Sequence, residues 1–154
     1  YEQTPSQNQP NRALVCTRMA ELQDEMGNYT EAMDCCEKAL PIQEKCLPIN
    51  HPDLALTWNT LGSIKRNMGD LSKALDYHEK ALKMRQSLLP ATHPDIAWTH
   101  WGISAVYEKM GDYKKACASL GEAIHIGERS LPPEHPHLKL YRQQLKRLET
   151  QTDR

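Results

Sequence analysis

The side chains of this 154-residue chain that could do chemistry are its seven histidines, its five cysteines and the pair Trp98 and Trp101. His51, His93 and His135 recur every 42 residues, each just before a proline. That places them at the same helix entry in successive units, about one repeat apart, too far to share a metal ion. His78 and His100 fall where one helix packs on another. Cys16, Cys35, Cys36, Cys46 and Cys117 are odd in number, ignore the 42-residue period and include no spaced pair of the zinc-binding kind. They read as free thiols of a reducing compartment, with Cys16 and Cys36 serving as small packing residues. No Gly-rich phosphate loop, His-Glu-x-x-His pair or strand-turn-helix setting for a nucleophile is present in the sequence. The expectation is a chain that is not an enzyme and needs no metal or cofactor.

The elements that must position these residues are set by the same period. Met26-Gly27-Asn28-Tyr29, Met68-Gly69-Asp70-Leu71 and Met110-Gly111-Asp112-Tyr113 stand 42 apart, as do Pro10, Pro52, Pro94 and Pro136. Aligned from His51 and His93, two units share 13 of 42 residues. A period of this length marks a solenoid, whose units bury their apolar faces against one another. Within a unit, proline opens helix A, Asp53 adds charge to its first turn, and Gly69 closes it in a left-handed conformation. Asp70 then caps helix B, which ends at Leu89-Pro90 because proline lacks the amide donor. In the first unit Asn11 takes over the helix start. The spacing predicts helices near 11–26, 29–46, 52–68, 71–88, 94–110, 113–130 and 136–149. Leu138, Tyr141, Leu145 and Leu148 make an apolar stripe on the last, opposite Lys139, Arg142, Gln143, Lys146 and Arg147. That helix reads as a cap with a solvated basic face. The predicted organisation is an N-terminal segment 1–10, an array over 11–149 (units 11–50, 51–92 and 93–134, capping helix 136–149) and a tail 150–154.

Composition narrows the partners. A formal charge of −1 and a pI near 6.7 lack the excess that nucleic acid or an anionic membrane surface needs, and no apolar run reaches the length of a membrane span. The polar start of the sequence, Tyr1 to Gln9, has no signal-peptide core, so the expected location is cytoplasmic.

Trp58, Leu61, Gly62, Ala74 and Ala81 stand at the spacing of the tetratricopeptide (TPR) signature, and from about residue 10 to 149 the chain resembles a TPR array. The standard period is 34; the longer repeat, with Leu-Pro-x-x-His-Pro-Asp between units, is similar to that of kinesin light chains and their relatives. The resemblance implies an all-α fold, a right-handed α-solenoid of three TPR helix pairs plus a C-terminal capping helix. It also implies a scaffold or adaptor whose A helices line a concave groove for a partner peptide or helix. The implied lining is Leu14, Thr17, Arg18, Glu21 and Asp24; Leu56, Asn59, Thr60, Ser63 and Arg66; and Trp98, Trp101, Gly102, Ala105 and Glu108. Light-chain repeats place Asn-Asn before the Leu of helix A; this chain keeps Asn59 and has Thr17 and Trp101 at the equivalent places. Trp98 and Trp101 are either an exposed aromatic platform or packing residues against a neighbouring helix, whereas Trp58 is expected in the core. A second class of function stays open beside the adaptor: a regulatory or self-assembly module docking to another domain or copy of its own protein.

Overall fold

The computed structural model describes residues 8–153. Among these are seven helices and no strand: α1 (Gln9–Glu25), α2 (Tyr29–Cys46), α3 (Pro52–Met68), α4 (Leu71–Leu88), α5 (Pro94–Met110), α6 (Tyr113–Ser130) and α7 (Pro136–Thr152). The ends of the helices follow from their local chemistry. Gly27, Gly69 and Gly111 hold φ of +83°, +90° and +80°, where a Cβ would be strained, and each turn closes with an amide reaching back five residues, as from Asp70 to the Lys65 carbonyl at 2.9 Å. The starts of α3, α5 and α7 hold a feature that sequence reasoning missed. His51, His93 and His135 are N-caps: each Nδ1 accepts the amide of the residue two further on, at 3.1 Å. An imidazole replaces the usual Ser or Asp as the acceptor for a free helix amide.

Both ends of the chain depart from expectation. Helix α1 begins at Gln9, two residues before the predicted start at 11, so Asn11 lies in its first turn; the N-cap is Asn8, whose side chain makes no cap bond. Pro10 supplies the pre-set φ there instead. Helix α7 continues to Thr152, beyond the predicted end at 149, so residues 150–152 are helical and not tail. Residues 1–7 and 154 of the predicted terminal segments lie outside the described residues.

The chain divides into two compact units, Tyr1–Met84 and Arg85–Arg154. This boundary falls inside α4 rather than between repeats. In the first unit α1 packs on α2, and α3 on both. Its centre is Ala20, Ala32, Cys36, Leu61 and Ile64, with Trp58 packed against it and against a second cluster of Leu54, Ala55 and Met84. Trp58 is thus a core contact, as its signature position requires. Gly62 leaves no room for a side chain: a Cβ there would lie 2.7 Å from the buried His78 imidazole on α4.

In the second unit α6 packs on both α5 and α7. Leu138, Tyr141 and Leu148 of α7 are fully buried, and Leu145 half-buried. The basic residues behind them form exposed pairs, Lys139–Glu134 at 2.9 Å and Arg142–Glu128 at 3.1 Å. Each buried Leu contributes about 1.5–3 kcal/mol, and each exposed pair about 0–1. Apolar burial, not charge, therefore holds the last helix in place.

Candidate functional site

Positions 14, 17, 21 and 24 of α1 recur as 56, 59, 63 and 66 on α3 and as 98, 101, 105 and 108 on α5. In the first unit this row is only partly open. Leu14, Glu21, Leu56, Ser63 and Arg66 are half-buried, and Arg18 is exposed and bonded to Glu21 at 3.0 Å. Asp24 accepts a hydrogen bond from Asn67 of α3 at 2.8 Å.

Two residues expected on this face are turned to other work. Thr17 is fully buried; its hydroxyl meets Thr57 Oγ1 at 2.8 Å, and Thr57 Oγ1 in turn donates to Gln43 Oε1 at 2.7 Å. It pins three helices from within and lines no surface. Asn59 is 5 % exposed, with Oδ1 2.9 Å from His78 Nδ1. With the ring proton on Nδ1, Asn59 accepts it and orients the buried imidazole. Thr60 and Gly102 are likewise buried.

In the second unit the row is largely engaged by α7. Trp98 and Trp101 stack at 4.5 Å between ring centroids, and His137 stacks on the other side of Trp98 at 4.5 Å. Trp101 Nε1 donates to Gln144 Oε1 at 2.6 Å, and Gln144 Nε2 donates to Glu108 Oε2 at 2.8 Å. Arg147 completes the set with an ion pair to Glu108, which holds its guanidinium firmly charged. Of the two readings of the tryptophan pair, packing on a neighbouring helix is the one found. Ala105 is half-buried beside this cluster.

Sequence reasoning missed His137, Gln144 and Arg147 by treating the polar side of α7 as solvated. A signal existed: Asp24–Asn67 and Trp101–Gln144 both join side chains 43 residues apart. Burial lowers the His137 pKa, helped by His135, and burial lowers that of His100 against an opposing pull from Glu122. Burial also pushes the Cys36 thiol up to about 12, leaving it a protonated packing residue. Among the described residues there is no group of three or more His, Cys, Asp or Glu that could hold a metal ion, and no helix is long and apolar enough to cross a membrane.

Comparison with known proteins gives a consistent picture. Residues 11–87 and 102–137 match models of the tetratricopeptide repeat. No curated protein matches the chain. Among solved structures, the nearly identical TPR-like repeats assigned to a kinesin light chain of Podosopora anserina superpose with TM-score 0.80 at 22% identity, over 90% of this chain and 66% of that one. BtubC (BKLC) from P. vanneervenii gives TM-score 0.77 at 18% identity, over 93% and 58%. The apo form of RapI gives 0.76 at 18% identity, over 96% and 40%. The chain thus spans less than two thirds of each of these structures. At these identities the likeness establishes the fold.

Proposed function

Because the chain belongs to the tetratricopeptide repeat family, whose model covers residues 11–87, we propose that it is a protein–protein interaction scaffold and that the A-helix face of its first unit binds a peptide or helix of a partner. The reading is non-catalytic. The observation that carries it is the row of half-buried side chains on two A helices packed side by side: Leu14 and Glu21 on α1, Leu56, Ser63 and Arg66 on α3, with Arg18 exposed at the rim. Such a face offers apolar contact, both signs of charge and hydrogen-bonding groups over a rigid base, which suits an extended peptide better than a small molecule. Asn59 lies at the floor, its carboxamide oxygen already committed to His78. In the second unit Trp98, Trp101, Ala105 and Glu108 form a comparable face that α7 partly occupies. The partner is a protein, not nucleic acid, and the reducing cytosol is the compartment in which five free cysteines persist.

The test is selection of displayed peptides against the full chain, followed by titration of a selected peptide. Ser63→Arg should weaken binding more than about tenfold, because a charged, longer side chain fills the face, with helicity unchanged. Lys83→Glu, on the exposed side of α4, should leave affinity within about twofold. The opposite pattern would mean that the outer helices, not the A-helix face, carry the interaction.

A further inference from the structure

Lys80 of α4 stands over two rings: its Nζ lies 5.9 Å from the ring centroid of Trp58 and 5.8 Å from that of Tyr77. An ammonium above an aromatic face is attracted by the negative charge of the π cloud. Forty-two residues earlier the cation is kept as Lys38, but both rings are lost: Cys16 stands for Trp58 and Cys35 for Tyr77. In the third repeat the ring is His100 and the residue at the place of Lys38 is Glu122, whose charge acts on it. The first repeat keeps the charged side chain and lacks the ring. The lost volume shows as a cleft of about 420 Å³ between α1 and α2, with Cys16, Pro41 and Ile42 as its apolar wall and Arg12, Glu37 and Lys38 around it. In the second repeat the places of Arg12, Cys16 and Ile42 are taken by Leu54, Trp58 and Met84, which pack on one another.

We propose that this cleft binds a small planar aromatic carboxylate, whose ring takes the place beneath Lys38 that Trp58 takes beneath Lys80 and whose carboxylate meets Arg12. The size of the cleft is that of a small-molecule site, where an apolar wall supplies contact and a few polar groups fix orientation. The charges choose the sign of the ligand. Arg12, Glu37 and Lys38 are exposed, and among the described residues none of the three side chains has an ion pair or hydrogen bond. Two cations against one anion favour a monoanion, and a guanidinium is the donor best matched to a carboxylate. A ring carrying an ammonium would instead meet two like charges. A saturated ring of the same size would fill the wall but offer Lys38 no π face. The cleft shares no residue with the A-helix face, so it stands or falls apart from the partner-binding reading.

The experiment titrates the full chain with indole-3-acetate, followed by ligand-observed NMR. A ligand of about a dozen heavy atoms should bind one to one with Kd of about 0.1–1 mM. Cyclohexylacetate, which keeps the acid without the π face, should bind about threefold more weakly or worse, and so should tryptamine, which keeps the indole and reverses the charge. Arg12→Leu, which installs the residue of the second repeat, should weaken indole-3-acetate about fivefold, and Lys38→Met about threefold. Cys16→Trp should abolish binding and raise the thermal midpoint, because the protein then fills the cleft as it does in the second repeat. Absence of saturable binding up to about ten times the upper Kd overturns the proposal, as does binding that survives Cys16→Trp or favours tryptamine. Should Cys16→Trp lower the thermal midpoint, the two variants at exposed positions decide: affinity unchanged in both Arg12→Leu and Lys38→Met overturns the proposal, and the stated losses support it.

Discussion

Gly62 shows how one atom sets the distance between two helices. His78 is fully enclosed, its Nδ1 is tied to Asn59, and its ring lies where the missing Cβ would be. Gly62→Ala gains up to about 1 kcal/mol of helix propensity but forces the imidazole off a buried hydrogen bond, at a cost of about 1–3 kcal/mol for overpacking. A net loss of about 1–2 kcal/mol is expected in urea unfolding; a midpoint equal to wild type would show that the ring has room to move. The signature glycine was legible in the sequence, as was the packing role of His78. That Asn59 would be spent on that histidine was not, since the bond joins residues on different helices and either could have turned outward.

At the scale of the element, the starts and stops were legible because they are local: a proline presets φ, a glycine takes the left-handed turn, an aspartate caps. Helix α2 carries one local rule broken. Pro41 sits inside it, on the exposed side, where α4 and α6 have Lys83 and His125. Proline cannot donate to the Glu37 carbonyl and crowds the preceding turn. An interior proline is about 3 kcal/mol worse than alanine, of which about 0.4–1 is recovered by stiffening the unfolded chain. Pro41→Ala should therefore stabilise the chain by about 2 kcal/mol, seen as a higher urea midpoint. An unchanged or lower midpoint would mean that the proline has a packing role the exposed position hides.

For the whole molecule, acid is the informative stress. His100 and His137 both have pKa values lowered by burial, opposed at His100 by Glu122 and reinforced at His137 by His135. A histidine that resists protonation when folded binds fewer protons than the unfolded chain once pH falls below its ordinary value of about 6.5. These two sites therefore leave stability untouched above about pH 7.5 and subtract from it as pH drops through the ordinary histidine range toward their depressed values. His137→Phe keeps a ring against Trp98 but removes the proton. The difference in unfolding free energy between pH 7.5 and 5.5 should be smaller in that variant than in wild type; an equal difference would place the acid sensitivity elsewhere.

The 42-residue period, read with its Gly and Pro punctuation, determined by itself the helix count and nearly every helix boundary, because these follow from local geometry repeated along the chain; it did not fix every inward-facing residue, since Thr17, Asn59, Thr60 and Gly102 are buried. The resemblance to TPR arrays, rather than the period, implied the A-helix row as a partner-binding face, which stands as a proposal. The tertiary structure decided how much of that row stays available. Thr17 is consumed by Thr57 and Gln43, and Trp98, Trp101 and Glu108 by His137, Gln144 and Arg147. Those choices rest on side chains 14 to 43 residues apart, which the period brings near each other without specifying which hydrogen bond or stack will form. The exposure of Val15, Met19 and Leu22 on α1 has the same origin: their spacing is plain in the sequence, but only the tertiary structure shows that they are open while Thr57, Leu61 and Ile64, 42 residues on, are buried.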